Sequence, residues 1–178
     1  MTELMTLQEV ARYLRVTEKT IYRLIRRRGI PATKVGRNWR FEKRGIDEWL
    51  HRGSVAGKAN ILVIDDEEAI RALFKETLQE LGHTVAVAGT AFEGLGLVKQ
   101  RDFDLVFLDL KMPGMDGAEL FRQMRAIKPK LAVTIVTGYP NSDLMARALA
   151  QGPFGVMNKP FSESDIIAAV NSFLRISS

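Results

Sequence analysis

Two rhythms of apolar and polar positions divide this chain. From Asn60 onward short unbroken apolar runs recur: Ile61 to Ile64, Val85 to Ala88, Leu105 to Leu108, Leu131 to Val136 and a brief Gly155 to Met157. Between them lie segments such as Ile70, Leu73, Phe74, Leu78 and Leu81, spaced as on one face of a helix. A run that is apolar at every position has no water-facing side, so these runs predict a parallel sheet covered by helices on both faces. Gly82 after the first helical segment and Pro129 after the third are helix stops that fit five strand-then-helix repeats.

Before residue 53 the period is helical and the segments are shorter. In "TLQEVARYL", Leu7, Val10, Ala11 and Leu14 share a face, and Thr6 with Glu9 three residues later has the capping-box pattern. "TEKTIYRLIRRRGI" starts again at a capping Thr17. It is predicted to bury Ile21, Leu24 and Ile25 and to expose Lys19, Thr20, Arg23, Arg26 and Arg27 on its other side. Two helices joined by a turn of three or four residues, the second basic and rich in hydroxyls, predict a helix-turn-helix whose second helix enters the major groove of duplex DNA. "PATKVGRNWRF" then reads as two short strands around Gly36, with Arg37, Asn38 and Arg40 at or near the tip. "EKRGIDEWLHR" closes the unit as a helix whose Ile46, Trp49 and Leu50 complete the core.

Charge sharpens this division. Residues 1 to 59 carry 14 Lys or Arg against 6 Asp or Glu, a balance of +8, whereas residues 60 to 178 carry 12 against 15, a balance of −3. Such asymmetry points to a nucleic-acid or membrane-surface contact in the basic part. "GSVAGKAN", Gly53 to Asn60, has the small and polar composition of a linker. The expected domains are therefore 1–52, a linker 53–59, and 60–178. No apolar run approaches the roughly 20 residues that span a bilayer, and "MTELMTLQEV" lacks the basic start and apolar core of a signal peptide. A cytoplasmic location and no membrane partner are the expectation. With no cysteine, thiolate chemistry is excluded, and having only His51 and His83, far apart, argues against a histidine metal cage, so any metal is expected to be held by oxygen.

In a doubly wound sheet, ligands collect beyond the carboxyl ends of the strands. The residues there are Asp65 and Asp66 after the first run, Asp109 after the third, Thr137 after the fourth and Lys159 after the fifth. Adjacent Asp65 and Asp66 repel each other where a buried strand surfaces. A hard cation and the Lys159 ammonium can cancel them. Three carboxylates suit Mg²⁺, which takes one or two carboxylates together with phosphate oxygens and keeps several waters. Asp109 can then act as a nucleophile toward a phosphoryl group while Thr137, followed by small Gly138, offers its hydroxyl to a phosphoryl oxygen. Glu67 and Glu68 read as acids favouring a helix N-terminus. Met112, Met115 and Met124 read as loop and core filler, and His83 as structural.

"ILVIDDEE", "DLVFLDLKMPGMDG", "TIVTGYP" and "NKPF" together resemble the receiver domain of two-component response regulators, from Asn60 to about Ser178. That resemblance implies a flavodoxin-like sheet of order 2-1-3-4-5. It further implies Mg²⁺ held by Asp65, Asp66, Asp109 and the backbone carbonyl of Lys111. Asp109 would be phosphorylated by a histidine kinase or a histidine phosphotransfer protein, and Thr137 and Lys159 would bind the phosphoryl group. Lys159–Pro160 would be a cis peptide bond. One position departs from the family: where an aromatic usually stands three residues before the Lys, this chain has Val156, and the nearest rings are Phe154 and Tyr139. Leu4 to Arg52 resembles the excisionase-like, MerR-related winged helix-turn-helix family, with only Met5 unusual. By that likeness Thr17, Lys19, Thr20 and Arg23 face base edges or phosphates, and Arg37 and Asn38 on the wing reach the minor groove or backbone.

The combined expectation is a regulator, not an enzyme. It is a small α+β winged helix-turn-helix preceding an α/β receiver, whose phosphorylation on Asp109 alters homodimerisation and binding to double-stranded DNA. Two rival expectations are a phosphorelay intermediate or phosphate sink, and an architectural excisionase-type DNA-binding protein whose receiver serves assembly.

Overall fold

The computed structural model describes residues 4–26, 30–51 and 57–177. Arg27 and Arg28, and most of the expected linker, lie outside the described residues. The chain divides into two compact units, Met1–Gly57 with Ala168–Ser178, and Lys58–Ile167.

In the first unit, β1 (Leu4–Met5) leads to α1 (Leu7–Tyr13), α2 (Glu18–Arg26), β2 (Thr33–Val35), β3 (Asn38–Glu42) and α3 (Lys43–His51). The capping box forms: the Thr6 hydroxyl accepts from the Glu9 amide at 3.2 Å and the Glu9 carboxylate accepts from the Thr6 amide at 2.7 Å. Residues 14–17 make the turn between α1 and α2, with Arg15 at a positive φ of 56°, and the Thr17 hydroxyl accepts from the Thr20 amide at 3.3 Å. Val10, Ala11, Leu14, Ile21, Leu24, Phe41 and Ile46 are buried, while Ile25, Trp39, Trp49 and Leu50 are half-buried. The hairpin joins β2 to β3 through a two-residue loop that puts Gly36, at φ 62°, in its first central position. A third strand was not legible in the sequence. β1 pairs antiparallel with β3, setting Met5 opposite Phe41, so the sheet order is β1-β3-β2. Two residues are too few to show an alternation, and the buried Met5 side chain is explained by this pairing.

The second unit alternates β4 (Asn60–Ile64), α4 (Glu68–Glu80), β5 (Thr84–Ala88), α5 (Ala91–Gln100), β6 (Leu105–Asp109), α6 (Gly117–Ile127), β7 (Ala132–Thr137), α7 (Asp143–Ala150) and β8 (Gly155–Asn158); α8 (Glu163–Ser177) starts in this unit, and its residues from Ala168 on are grouped with the first. All four strand pairings are parallel and the order is β5-β4-β6-β7-β8, the expected 2-1-3-4-5. Every residue of β6 is buried, as a central strand covered on both faces must be. Gly82 follows α4 at φ 85°, where a helix stop requires it. His83 is buried, and its Nδ1 accepts from the Ala59 amide at 3.2 Å, a structural role. Burial holds its pKa below the usual histidine value.

Two ring contacts brace the carboxyl edge of this sheet. Phe74 of α4 meets Phe107 of β6 at 4.7 Å between centroids, and Phe161, two residues beyond Lys159, at 5.4 Å. The segments carrying the acid pair, Asp109 and Lys159 are thereby packed on a shared aromatic centre.

Candidate functional site

β4 and β6 are neighbours in the sheet, so Asp65, one residue past β4, and Asp109, the last of β6, surface side by side. One carboxylate oxygen from each of Asp65, Asp66 and Asp109 falls within 4.8 Å of the others. Asp65 and Asp109 are buried and Asp66 is exposed. Lys159, just past β8, reaches in from the far side of the sheet: its Nζ lies 3.0 Å from Asp65 Oδ2, 3.0 Å from Glu67 Oε1 and 3.7 Å from Asp109 Oδ2. Lys159–Pro160 is cis.

Glu67 is the site residue that sequence reasoning missed. It occupies the N-cap of α4, but its side chain makes no cap hydrogen bond and pairs instead with Lys159, 92 positions away. No local pattern announces a partner at that separation.

Burial pushes the Asp109 pKa from 3.8 up to about 6, the charge of Asp65 adds to the rise, and Lys159 opposes it. Burial also raises Asp65, against the Glu67 amide donating to its Oδ1 at 2.9 Å and the Lys159 ammonium. Burial disfavours the ammonium of Lys159, but Asp65 and Glu67 outweigh it and hold its pKa above the usual lysine range. The cluster is thus short of positive charge. Asp65 Oδ2 is buried and accepts no well-directed hydrogen bond, although the ammonium stands 3.0 Å away. Three carboxylate oxygens within 4.8 Å of one another, with the Lys159 ammonium against them, are the donor set of a hard, oxygen-ligated divalent cation, and these residues fit one.

Thr137 ends β7, next to β6, and is buried. Its hydroxyl oxygen accepts from the Tyr139 amide at 2.9 Å. The Tyr139 carbonyl accepts from the Ser142 hydroxyl at 2.9 Å, and that hydroxyl, the N-cap of α7, accepts from the Met145 amide at 3.2 Å. Lys111 donates its amide to Asp109 Oδ1 at 3.3 Å and carries its ammonium 4.3 Å above the exposed Tyr139 ring. Val156 is half-buried against the apolar core.

On the first unit, Lys19, Tyr22, Arg23 and Arg26 are exposed and recur at helical spacing on α2, opposite buried Ile21 and Leu24. Tyr22 was not among the expected contacts. Thr20 is a correction: expected on the outer side, it is buried, with its hydroxyl 3.1 Å from that of Thr17. A residue beside Ile21 in the first turn closes onto the cap, so its hydroxyl is spent inside the domain. Thr17 is half-buried. Arg37 and Asn38 are exposed at the hairpin tip, while half-buried Arg40 donates to the Trp39 carbonyl at 3.0 Å.

A doubly wound sheet whose strand ends gather three carboxylates, a lysine and a threonine hydroxyl is the arrangement of a receiver domain. Residues 61–171 match the response regulator receiver domain, and residues 4–54 match a helix-turn-helix domain. The chain belongs to the response regulator receiver family, with a helix-turn-helix domain preceding the receiver. Sporulation initiation phosphotransferase F of Bacillus subtilis (strain 168) is 34% identical over 118 residues, covering 66% of this chain and 95% of that protein. Cell cycle response regulator CtrA of Brucella ovis is 32% identical over 115 residues, covering 65% of this chain and 50% of that protein. Among solved structures, a CheY-like receiver domain protein from Methanospirillum hungatei JF-1 superposes with a TM-score of 0.63 at 30% identity, covering 66% of this chain and 94% of that one. No described helix is long and apolar enough to cross a membrane.

Proposed function

We propose that this protein is a DNA-binding response regulator of a two-component phosphorelay, phosphorylated on Asp109 by a histidine kinase. The observation that carries the reading is the site itself: a buried acid with Lys159 3.7 Å away and two more carboxylates alongside, in a chain that also bears a basic helix-turn-helix. Mg²⁺, held by Asp65, Asp66, Asp109 and the Lys111 carbonyl, supplies charge neutralisation at the phosphoryl oxygens when bound.

The chain's own residues do the rest. Asp109, whose pKa burial raises to about 6, is competent as a nucleophile in its ionised form. Its carboxylate oxygen forms the new P–O bond as the P–N bond to the donor histidine breaks, the electron pair leaving with the imidazole nitrogen. The Lys159 ammonium, already among the carboxylates, swings toward the charge that grows on the transferred group. Thr137 accepts from Tyr139 and so retains its own proton to donate to a phosphoryl oxygen. Lys19, Arg23 and Arg26 on α2, with Arg37 and Asn38 at the hairpin tip, supply cations and donors to a duplex, and phosphorylation shifts the protein toward a homodimer that sets two such faces on paired half-sites.

Footprinting of genomic fragments with and without an acyl-phosphate donor tests this. Protection strengthened by the donor, and lost in Asp109→Asn, is expected; protection indifferent to the donor overturns the coupling. A second reading, a phosphorelay intermediate, is favoured by the likeness to a protein named a phosphotransferase over 95% of that protein's length. Transfer of label from Asp109 to a histidine phosphotransfer protein, without DNA binding, is the outcome that selects it.

A further inference from the structure

Behind the acid pair stands a cation that the phosphoryl chemistry does not use. Arg71 lies in the first turn of α4, where a positive charge opposes the helix dipole. Its Nη1 donates to the backbone carbonyl of Asp65 at 2.8 Å and to that of Asp66 at 2.9 Å. These carbonyls stand where β4 ends, so they depend on a donor from outside the sheet. The space for the guanidinium is made by Gly89, at the end of β5: a Cβ there would lie 3.2 Å from Nη1 and 3.3 Å from Cζ. The Gly89 amide is tied in turn to the Glu93 carboxylate at 2.7 Å.

We infer that Arg71 is a positioning residue for the metal site. By gripping both carbonyls from behind, it fixes the peptide planes of residues 65 and 66 and turns both carboxylates toward Asp109. It touches neither the carboxylate oxygens nor the reacting group. Gly89 is part of the same device, because a Cβ there, 3.2 Å from Nη1, is closer than an ordinary contact and presses on the guanidinium. The inference rests on the Mg²⁺ site proposed above.

The test is calorimetric titration of the full chain with Mg²⁺ alone, for wild type, Arg71→Ala, Arg71→Lys and Gly89→Ala, with melting in a chelator measured in parallel. Outer-shell partners of metal ligands typically set affinity by 10- to 100-fold. Arg71→Ala is expected to raise the half-saturating Mg²⁺ concentration about tenfold. Arg71→Lys, which keeps a donor but loses the rigid fork, is expected to recover part of that loss, and labelling by a small phosphodonor at saturating Mg²⁺ to return to the wild-type rate. Gly89→Ala removes no charge and is expected to weaken binding in the same direction, so it carries the test if Arg71→Ala does not fold. Unchanged half-saturation in Arg71→Ala or in Gly89→Ala, or lost labelling that excess Mg²⁺ does not restore, overturns the inference. Absence of Mg²⁺ binding in wild type overturns instead the metal site on which it rests.

Discussion

Asp109→Asn, in protein held free of divalent cations by chelator, isolates the electrostatic strain built into the site. In the folded chain the Asp109 carboxyl binds its proton with a pKa of about 6 against an ordinary 3.8, because of burial first and the Asp65 charge second. At 1.36 kcal/mol for each tenfold in proton affinity this amounts to about 3 kcal/mol. Exposed Asp66 shows that water reaches the mouth of the site, and screening reduces the figure to about 1–2 kcal/mol. The folded form holds the proton more tightly than the unfolded form. Wild type is therefore relatively stable below pH 3.8 and loses this contribution as pH rises through about 6. Asparagine carries no charge to lose. Calorimetric melting at pH 8 should find the variant more stable by about 1–2 kcal/mol, roughly 5 °C for a unit of this size, with the gap closing toward pH 4. A variant less stable than wild type at pH 8, or a gap that ignores pH, refutes the reasoning.

Glu67→Gln should release Lys159 from one of its two 3.0 Å partners and speed labelling by a small phosphodonor a few-fold at saturating Mg²⁺; a slower rate would mean that Glu67 aids the site and does not compete within it. Gly117→Ala should destabilise the receiver by about 1–3 kcal/mol or more, read as a lowered urea midpoint, because the new Cβ would lie 2.4 Å from the Asp109 carbonyl oxygen and 2.5 Å from Leu110 Cα, backbone that cannot step aside. Arg23→Ala in the full chain should lower the slope of log affinity for duplex DNA against log salt by about 0.9, and an unchanged slope would remove Arg23 from the phosphate contacts.

The fold was legible wherever burial imposes a period. Five apolar runs could be read as strands because a central parallel strand has no polar face, and every β6 residue proved buried. The acid cluster was legible for a related reason: parallel strands all end on one edge, so residues just past each run must meet there. What escaped lacks a local signature. β1 is two residues long and is defined by its partner β3. Glu67 looked like an ordinary helix-start acid, and its bond to Lys159 exists only in three dimensions. Thr20 was misplaced because a hydroxyl in a basic helix reads as an outward donor, whereas here it closes against Thr17.

The Thr137 loop is tied to α7 by a chain of hydrogen bonds. From the Thr137 hydroxyl to the first turn of α7 run three hydrogen bonds in series, through the Tyr139 amide, the Tyr139 carbonyl and the Ser142 hydroxyl, each between 2.9 and 3.2 Å. Where receivers usually carry a ring, this chain has Val156, half-buried against the apolar core. In this chain the hydrogen-bond route from the Thr137 hydroxyl ends on the first turn of α7, so that helix, and not a ring at position 156, is where a shift of the hydroxyl would be looked for.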